Sequence, residues 1–214
     1  MRLTLFGANG QIGQQFIETA LQNGDSVKAV VRREGVLKIE HPNLEVIKVD
    51  LNDKKQVTTA IQGQDAVVST LGPHLNGGRK IVSLPIKDAH EMIVNVMEET
   101  GVKRLITLAT PAIKAKEDKK QLATLIPSNL PKLFSPPAHA EITGVKNAVT
   151  TSSTDWTIVR IINPNIKTDG NGYTVSFGDT KAKFGVSRKN AAQCMYDALR
   201  NNKWIGKMPI VFNQ

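Results

Sequence analysis

The chain has 214 residues, 40% of them hydrophobic and 22% charged, which supports a packed core and excludes a disordered chain. A single cysteine, Cys194, excludes an internal disulfide framework and a cysteine-rich zinc site. The net charge of +9 is spread, and its densest run, Lys114, Lys116, Lys119 and Lys120, is interrupted by Glu117 and Asp118, which argues against a nucleic-acid-binding stripe.

The first apolar strand is predicted over residues 2–6, followed by GANGQIG and a helix over 14–22 with Ile12, Phe16, Ile17, Ala20 and Leu21 at helical spacing. Asn23-Gly24 stops that helix. Strands follow over 26–32 and 44–50, then a helix capped by Asp53 and running to Ile61, then a strand over 65–72. Residues 79–100 read as mostly helical with a break near Pro85, 102–110 as the fifth strand and 155–162 as the sixth. Strands alternating with helices predict an α/β fold, a doubly wound parallel sheet. No run approaches the ~20 apolar residues that cross a bilayer. The opening MRLTLFGANG leaves no room for a leader, so a reducing cytoplasm is the expected location.

Residues 111–138 differ in character, with Pro111, Pro127, Pro131, Pro136 and Pro137. They follow the fifth strand at the carboxyl edge of the sheet, where open α/β proteins bind ligands, and read as a variable loop or a lid.

Gly7-Ala8-Asn9-Gly10-Gln11-Ile12-Gly13 leaves a strand and enters a helix, the setting of a dinucleotide fingerprint, although its spacing is G-x-x-G-x-x-G. Gly7 permits the turn, Gly10 lets backbone approach a pyrophosphate and Gly13 lets the helix pack on the strand. The helix N-terminus offers N–H groups to phosphate, and Asn9 either braces the turn or approaches the cofactor. An NAD site places a carboxylate at the end of the second strand; here Arg32-Arg33 stand there, suited to a 2′-phosphate, so the expected cofactor is NADP(H). Asp50, ending the third strand before Leu51, either accepts from the adenine amino group or caps a turn. Thr70-Leu71-Gly72 ends the fourth, with Gly72 close to the ribose.

Together GANGQIG, VVRR, VDLND, DAVVSTLG, GVKRLITLAT, DWTIVR and NGYTV at 172–176 resemble the atypical short-chain dehydrogenase/reductase superfamily. Within it the chain is similar to the compact NAD(P)H-binding, NmrA-like group that includes the flavin-reducing biliverdin reductase B. The resemblance implies one Rossmann domain over 1–214, with 163–214 a small C-terminal substrate region. It places Gly7, Asn9, Gln11 and Ile12 on the pyrophosphate, Arg32 and Arg33 on the 2′-phosphate, Asp50 and Leu51 beside adenine, and Leu71 and Gly72 beside the ribose. Thr107 and Thr110 fall where the family often has serines.

There are departures. Neither Tyr173 nor Tyr196 is followed by Lys in a Tyr-x-x-x-Lys pair, and the helix where that pair would sit begins near His139 and carries Glu141 and Lys146. The family's Arg-Pro after the sixth strand is Arg160-Ile161 here. The catalytic candidates are Thr110 and His139, with His74 a further loop candidate; His41 and His90 read as structural or solvated. No residues have metal-ligand spacing or form a nucleophile elbow. Cys194, in AAQCMYDAL, is expected in the core. The expected function is an NADP(H)-dependent oxidoreductase passing hydride to a planar flavin or quinone, as a monomer or homodimer. The alternative is an NADP-sensing regulator without turnover, and a sugar-nucleotide epimerase is disfavoured by the missing tyrosine.

Overall fold

Leu3 and Leu5 of the first strand point to one side and Phe6 to the other, and all three are fully buried. Two-sided burial requires helices on both faces of the sheet. The computed structural model describes residues 1–35, 37–73, 80–119, 135–164, 167–180, 183 and 185–214. Its elements are β1 (Arg2–Phe6), α1 (Gln11–Gln22), β2 (Ser26–Val31), β3 (Leu44–Lys48), α2 (Lys54–Ile61), β4 (Ala66–Ser69), α3 (Pro85–Thr100), β5 (Arg104–Ala109), α4 (Pro136–Thr150), β6 (Asp155–Ile161), β7 (Tyr173–Ser176), α5 (Arg188–Arg200) and β8 (Ile210–Asn213).

The strands form one sheet in the order β3-β2-β1-β4-β5-β6-β8-β7. Every pairing is parallel except β7 with β8. This is the doubly wound Rossmann-type sheet that the alternation predicts, and its winding reverses between β1 and β4. In this fold the reversal opens a crevice at the carboxyl ends of those strands. On one face α1 and α5 pack through Phe16, Ile17, Ala191 and Met195, with the Phe16 and Tyr196 rings 6.1 Å apart. Cys194 is buried in the same cluster. On the other face α2, α3 and α4 contribute Val57, Ile93, Met97 and Val145. Residues 163–214 supply β8 to the sheet and α5 to the core, in addition to the short β7.

Three helix starts differ from the sequence expectation. Helix α1 begins at Gln11, three residues before 14. Residues 80–84 precede α3, which begins at Pro85 and is not broken by it. Helix α4 likewise begins at Pro136, ahead of His139. Proline suits a first helical turn because its φ is already helical and the N–H it lacks would have no intrahelical partner. Among the described residues no helix is long and apolar enough to cross a membrane.

Candidate functional site

The parallel strands bring the predicted residues to one edge of the sheet. Strand order sets them laterally: Asp50 and Leu51 after β3, Arg32 and Arg33 after β2, the glycine turn after β1, Leu71 and Gly72 after β4, and Thr110 after β5. The parallel crossover from β5 to β6 puts the first turn of α4, with His139, at this same edge. His74 and residues 120–134 of the proline-rich stretch lie outside the described residues.

The turn after β1 is built by its glycines. Gly7 has φ +82°, and a Cβ there would lie 2.6 Å from Thr70 Oγ1. A Cβ on Gly13 would lie 2.4 Å from the Gly7 carbonyl oxygen, so its absence lets α1 close onto the turn. Gly10 is exposed, caps α1 without a side chain, and donates its N–H to the Gly7 carbonyl at 2.9 Å. The first intrahelical bond runs from Gln14 N–H to Gly10 O, leaving the N–H groups of Gln11, Ile12 and Gly13 ahead of it. A backbone cradle open to an anion results. The side-chain amide that braces the turn belongs to Gln14, which donates to Asn9 O at 3.0 Å. The Thr70 hydroxyl donates to Gly7 O at 3.0 Å and ties the β1 and β4 tips together. Neither bracing residue carries a sequence signal beyond its place in the turn.

Arg32 and Arg33 are exposed beyond β2. Asp50 is exposed, and its Oδ1 accepts from Asn52 N–H at 2.9 Å and Asn52 Nδ2 at 3.0 Å, so this oxygen holds a turn. Leu51 and Leu71 are half-buried against the α2–α3–α4 core, and Gly72 is exposed. Thr107 sits lower. It is fully buried, and its hydroxyl lies 3.0 Å from His90 Nε2. His90, also fully buried, lies 3.0 Å from Ser69 Oγ and its Nδ1 donates to Ile86 O at 2.8 Å. Burial pushes this imidazole down to about 4.

Thr110 is half-buried and its hydroxyl accepts from Ala112 N–H at 3.4 Å. His139 is half-buried; its Nδ1 is buried without a hydrogen-bond partner, as is Ser135 Oγ one turn earlier. Glu141 reaches across to the start of α3, which leaves the same edge after β4. Its buried carboxylate accepts from Ile86 N–H at 3.1 Å and Lys87 N–H at 2.7 Å, the two free donors of the first turn of α3. Lys146 donates to Lys114 O at 2.9 Å. Arg160 is fully buried beneath the β6 tip and pairs through both terminal nitrogens with Asp118, at 2.6 and 2.7 Å, while its Nε donates to Met208 O at 2.8 Å. It pins the segment that follows β5. In the sequence Asp118 reads only as an interruption of a lysine run.

Both tyrosine hydroxyls are spoken for. Tyr173 donates to Asp197 at 2.5 Å, and burial together with that carboxylate raises its phenol. Tyr196 donates to Asp25 at 2.7 Å, and burial with Asp25 pushes it up to about 12. Asp25 precedes β2, at the edge of the sheet opposite the glycine turn. Among the described residues no cluster of His, Cys, Asp or Glu could hold a metal ion.

Residues 7–202 match the model of a family described as NAD(P)H-binding. The chain is 30% identical over 112 residues to the uncharacterized sugar epimerase YhfK of Bacillus subtilis (strain 168), covering 51% of this chain and 52% of that one. It thus spans about half the length of that relative. A short-chain dehydrogenase/reductase from Veillonella parvula DSM 2008, solved in complex with NADP, superposes with a TM-score of 0.78 at 17% identity, covering 99% of this chain and 94% of that one. A candidate NADH-flavin reductase from Streptococcus pneumoniae TIGR4 superposes with a TM-score of 0.74 at 20% identity, covering 100% of each chain.

Proposed function

Because the chain belongs to the NAD(P)H-binding family, we propose that it is an NADP(H)-dependent reductase that delivers hydride to a small planar acceptor, a flavin or a quinone. One observation carries the reading: a glycine-built helix start at α1 that no side chain caps stands beside two exposed arginines at the tip of β2. The cradle fits a pyrophosphate, and the arginines fit a 2′-phosphate. The NADP complex of the similar Veillonella parvula structure supports the same choice.

In this reading the backbone of Gly7, Asn9, Gly10, Gln11, Ile12 and Gly13 holds the pyrophosphate. Arg32 and Arg33 hold the 2′-phosphate by charge-assisted bonds. Asp50, whose Oδ2 is left by the Asn52 turn, and Leu51 border the adenine. Leu71 and Gly72 border the ribose, and Thr107 supports this edge from below. When bound, the cofactor supplies the hydride. The chain's part is to align two ring systems and keep water from between them. Thr110 and His139, both half-buried, border the acceptor in this reading.

Flavin and quinone acceptors suit a site whose tyrosines are withheld. The tyrosine route to carbonyl reduction needs a phenol that gives up a proton near neutrality, and both phenols here are raised and bound to carboxylates. The same observation favours a second reading, an NADP-binding regulator of the NmrA-like kind without turnover. The decisive experiment mixes purified protein with NADPH and follows loss of nicotinamide absorbance, first with FMN and then with a simple quinone. Acceptor-dependent oxidation is expected. Saturable NADPH binding without oxidation by either acceptor would instead favour the regulator.

A further inference from the structure

Beneath the strand tips lies a buried polar chain in which Ser69 and His90, unused in the proposed chemistry, join Leu71 to Thr107. The carbonyl of Ile86 can only accept, so the proton of the His90 ring is on Nδ1. The ring is fully buried, and its hydrogen-bond partners are that carbonyl and two hydroxyls, so it has no carboxylate to stabilise a second proton. Nε2 is therefore a bare acceptor, and the Ser69 and Thr107 hydroxyls, each 3.0 Å away, share its single lone pair as donors. Ser69 Oγ in turn accepts the N–H of Leu71 at 3.4 Å, two residues along at the β4 tip. At the other end, the Ile86 peptide donates its own N–H to Glu141 of α4. The direction of every proton in the run is thereby set: Leu71 N–H to Ser69, Ser69 O–H to His90, His90 N–H to Ile86, Ile86 N–H to Glu141.

We propose that His90 is a positioning residue of the cofactor site, orienting the Leu71 peptide at the β4 tip through Ser69 and tying that tip to α4, the helix that carries His139. The inference rests on reading the strand tips as the NADP(H) site. A histidine that merely filled the core would leave cofactor affinity indifferent to which hydrogen bonds it makes. A positioning residue would not, because a misplaced tip forfeits contacts that depend on geometry.

Three readouts test this on the whole chain. Long-range proton–nitrogen spectra of the labelled imidazoles should show His90 protonated at Nδ1 and bare at Nε2 at neutral pH. Fluorescence titration with NADPH should show His90→Leu binding about tenfold more weakly than wild type, the equivalent of roughly one net hydrogen bond. His90→Gln, which returns an acceptor oxygen near the place of Nε2, should recover to within about threefold of wild type. Circular dichroism verifies folding. Should His90→Leu fail to fold, Ser69→Ala removes the same link to Leu71 with a smaller change and should also weaken NADPH about tenfold. A proton on Nε2, or Ser69→Ala binding NADPH like wild type, overturns the positioning role alone. Wild-type protein that binds no NADPH overturns the proposed function and this inference with it.

Discussion

Arg32 and Arg33 stand exposed beyond β2, where a carboxylate would select the ribose hydroxyls of NAD. Guanidinium groups meet a phosphate with paired, charge-assisted bonds of about 1.5–3 kcal/mol each, and NADH has no phosphate at that position. Replacing both with alanine should weaken NADPH about a hundredfold and NADH by less than about threefold, measured by fluorescence titration. Equal losses would remove the 2′-phosphate from this site. The three glycines of the turn divide their work at the same scale. Gly7 and Gly13 are demanded by packing, since a Cβ on either would fall within 2.6 Å of another atom. The nearest atom to a Cβ on Gly10 would be the Gly7 carbonyl oxygen at 3.2 Å, so packing demands glycine less strictly there, and the pyrophosphate of the proposed cofactor is the further reason for it.

Helix α3 illustrates how one element completes another. Pro85 removes the first orphan donor of its N-terminus, Leu84 caps nothing, and Glu141 of α4 accepts the remaining two. The negative carboxylate also sits at the positive end of the helix dipole. Glu141→Ala would leave two donors without a partner in a buried seam and should cost about 2–4 kcal/mol in urea unfolding. Glu141→Gln keeps one acceptor and should lose about half as much. A loss below about 0.5 kcal/mol in the alanine variant would mean that water caps α3 equally well. The same seam is close: a Cβ on Gly144 would lie 2.4 Å from the Lys87 side chain, so α4 uses glycine where it crosses the start of α3.

Across the molecule, one sheet joins two apolar layers, and both ends of the chain build it, with β1 and α1 packed against α5. We propose that residues 1–214 unfold as one unit, giving a single calorimetric transition. Titration of one buried group should then register in global stability. The unfolded His90 ring takes up a proton below its ordinary value of 6.5, and the folded ring only near about 4. Between those values the unfolded state binds more protons, so stability falls as pH falls. The contribution of His90 to that loss should approach about 3 kcal/mol and be absent from His90→Gln, measured by urea unfolding across pH 7 to 4. Parallel pH curves for the two proteins would show that His90 is charged in the fold or reaches solvent.

The features legible in the sequence are those written in neighbouring residues. Alternation of apolar strands with amphipathic helices determines the doubly wound sheet, and GANGQIG between a strand and a helix determines the glycine-built turn and the uncapped helix start, because turn geometry and periodicity are local. The place of Arg32-Arg33 at the tip of β2 is legible for the same reason. The tertiary structure alone decided the rest. Pro85 and Pro136 read as interruptions until the helices they open are seen, since proline at a first turn and proline in an interior differ only in what precedes them. Glu141 caps a helix that begins more than fifty residues earlier, Asp118 seeks Arg160 across 42 positions, and His90 gathers hydroxyls from two strands. Such pairings satisfy buried polar groups, and which groups are buried together is a property of packing that no local pattern records.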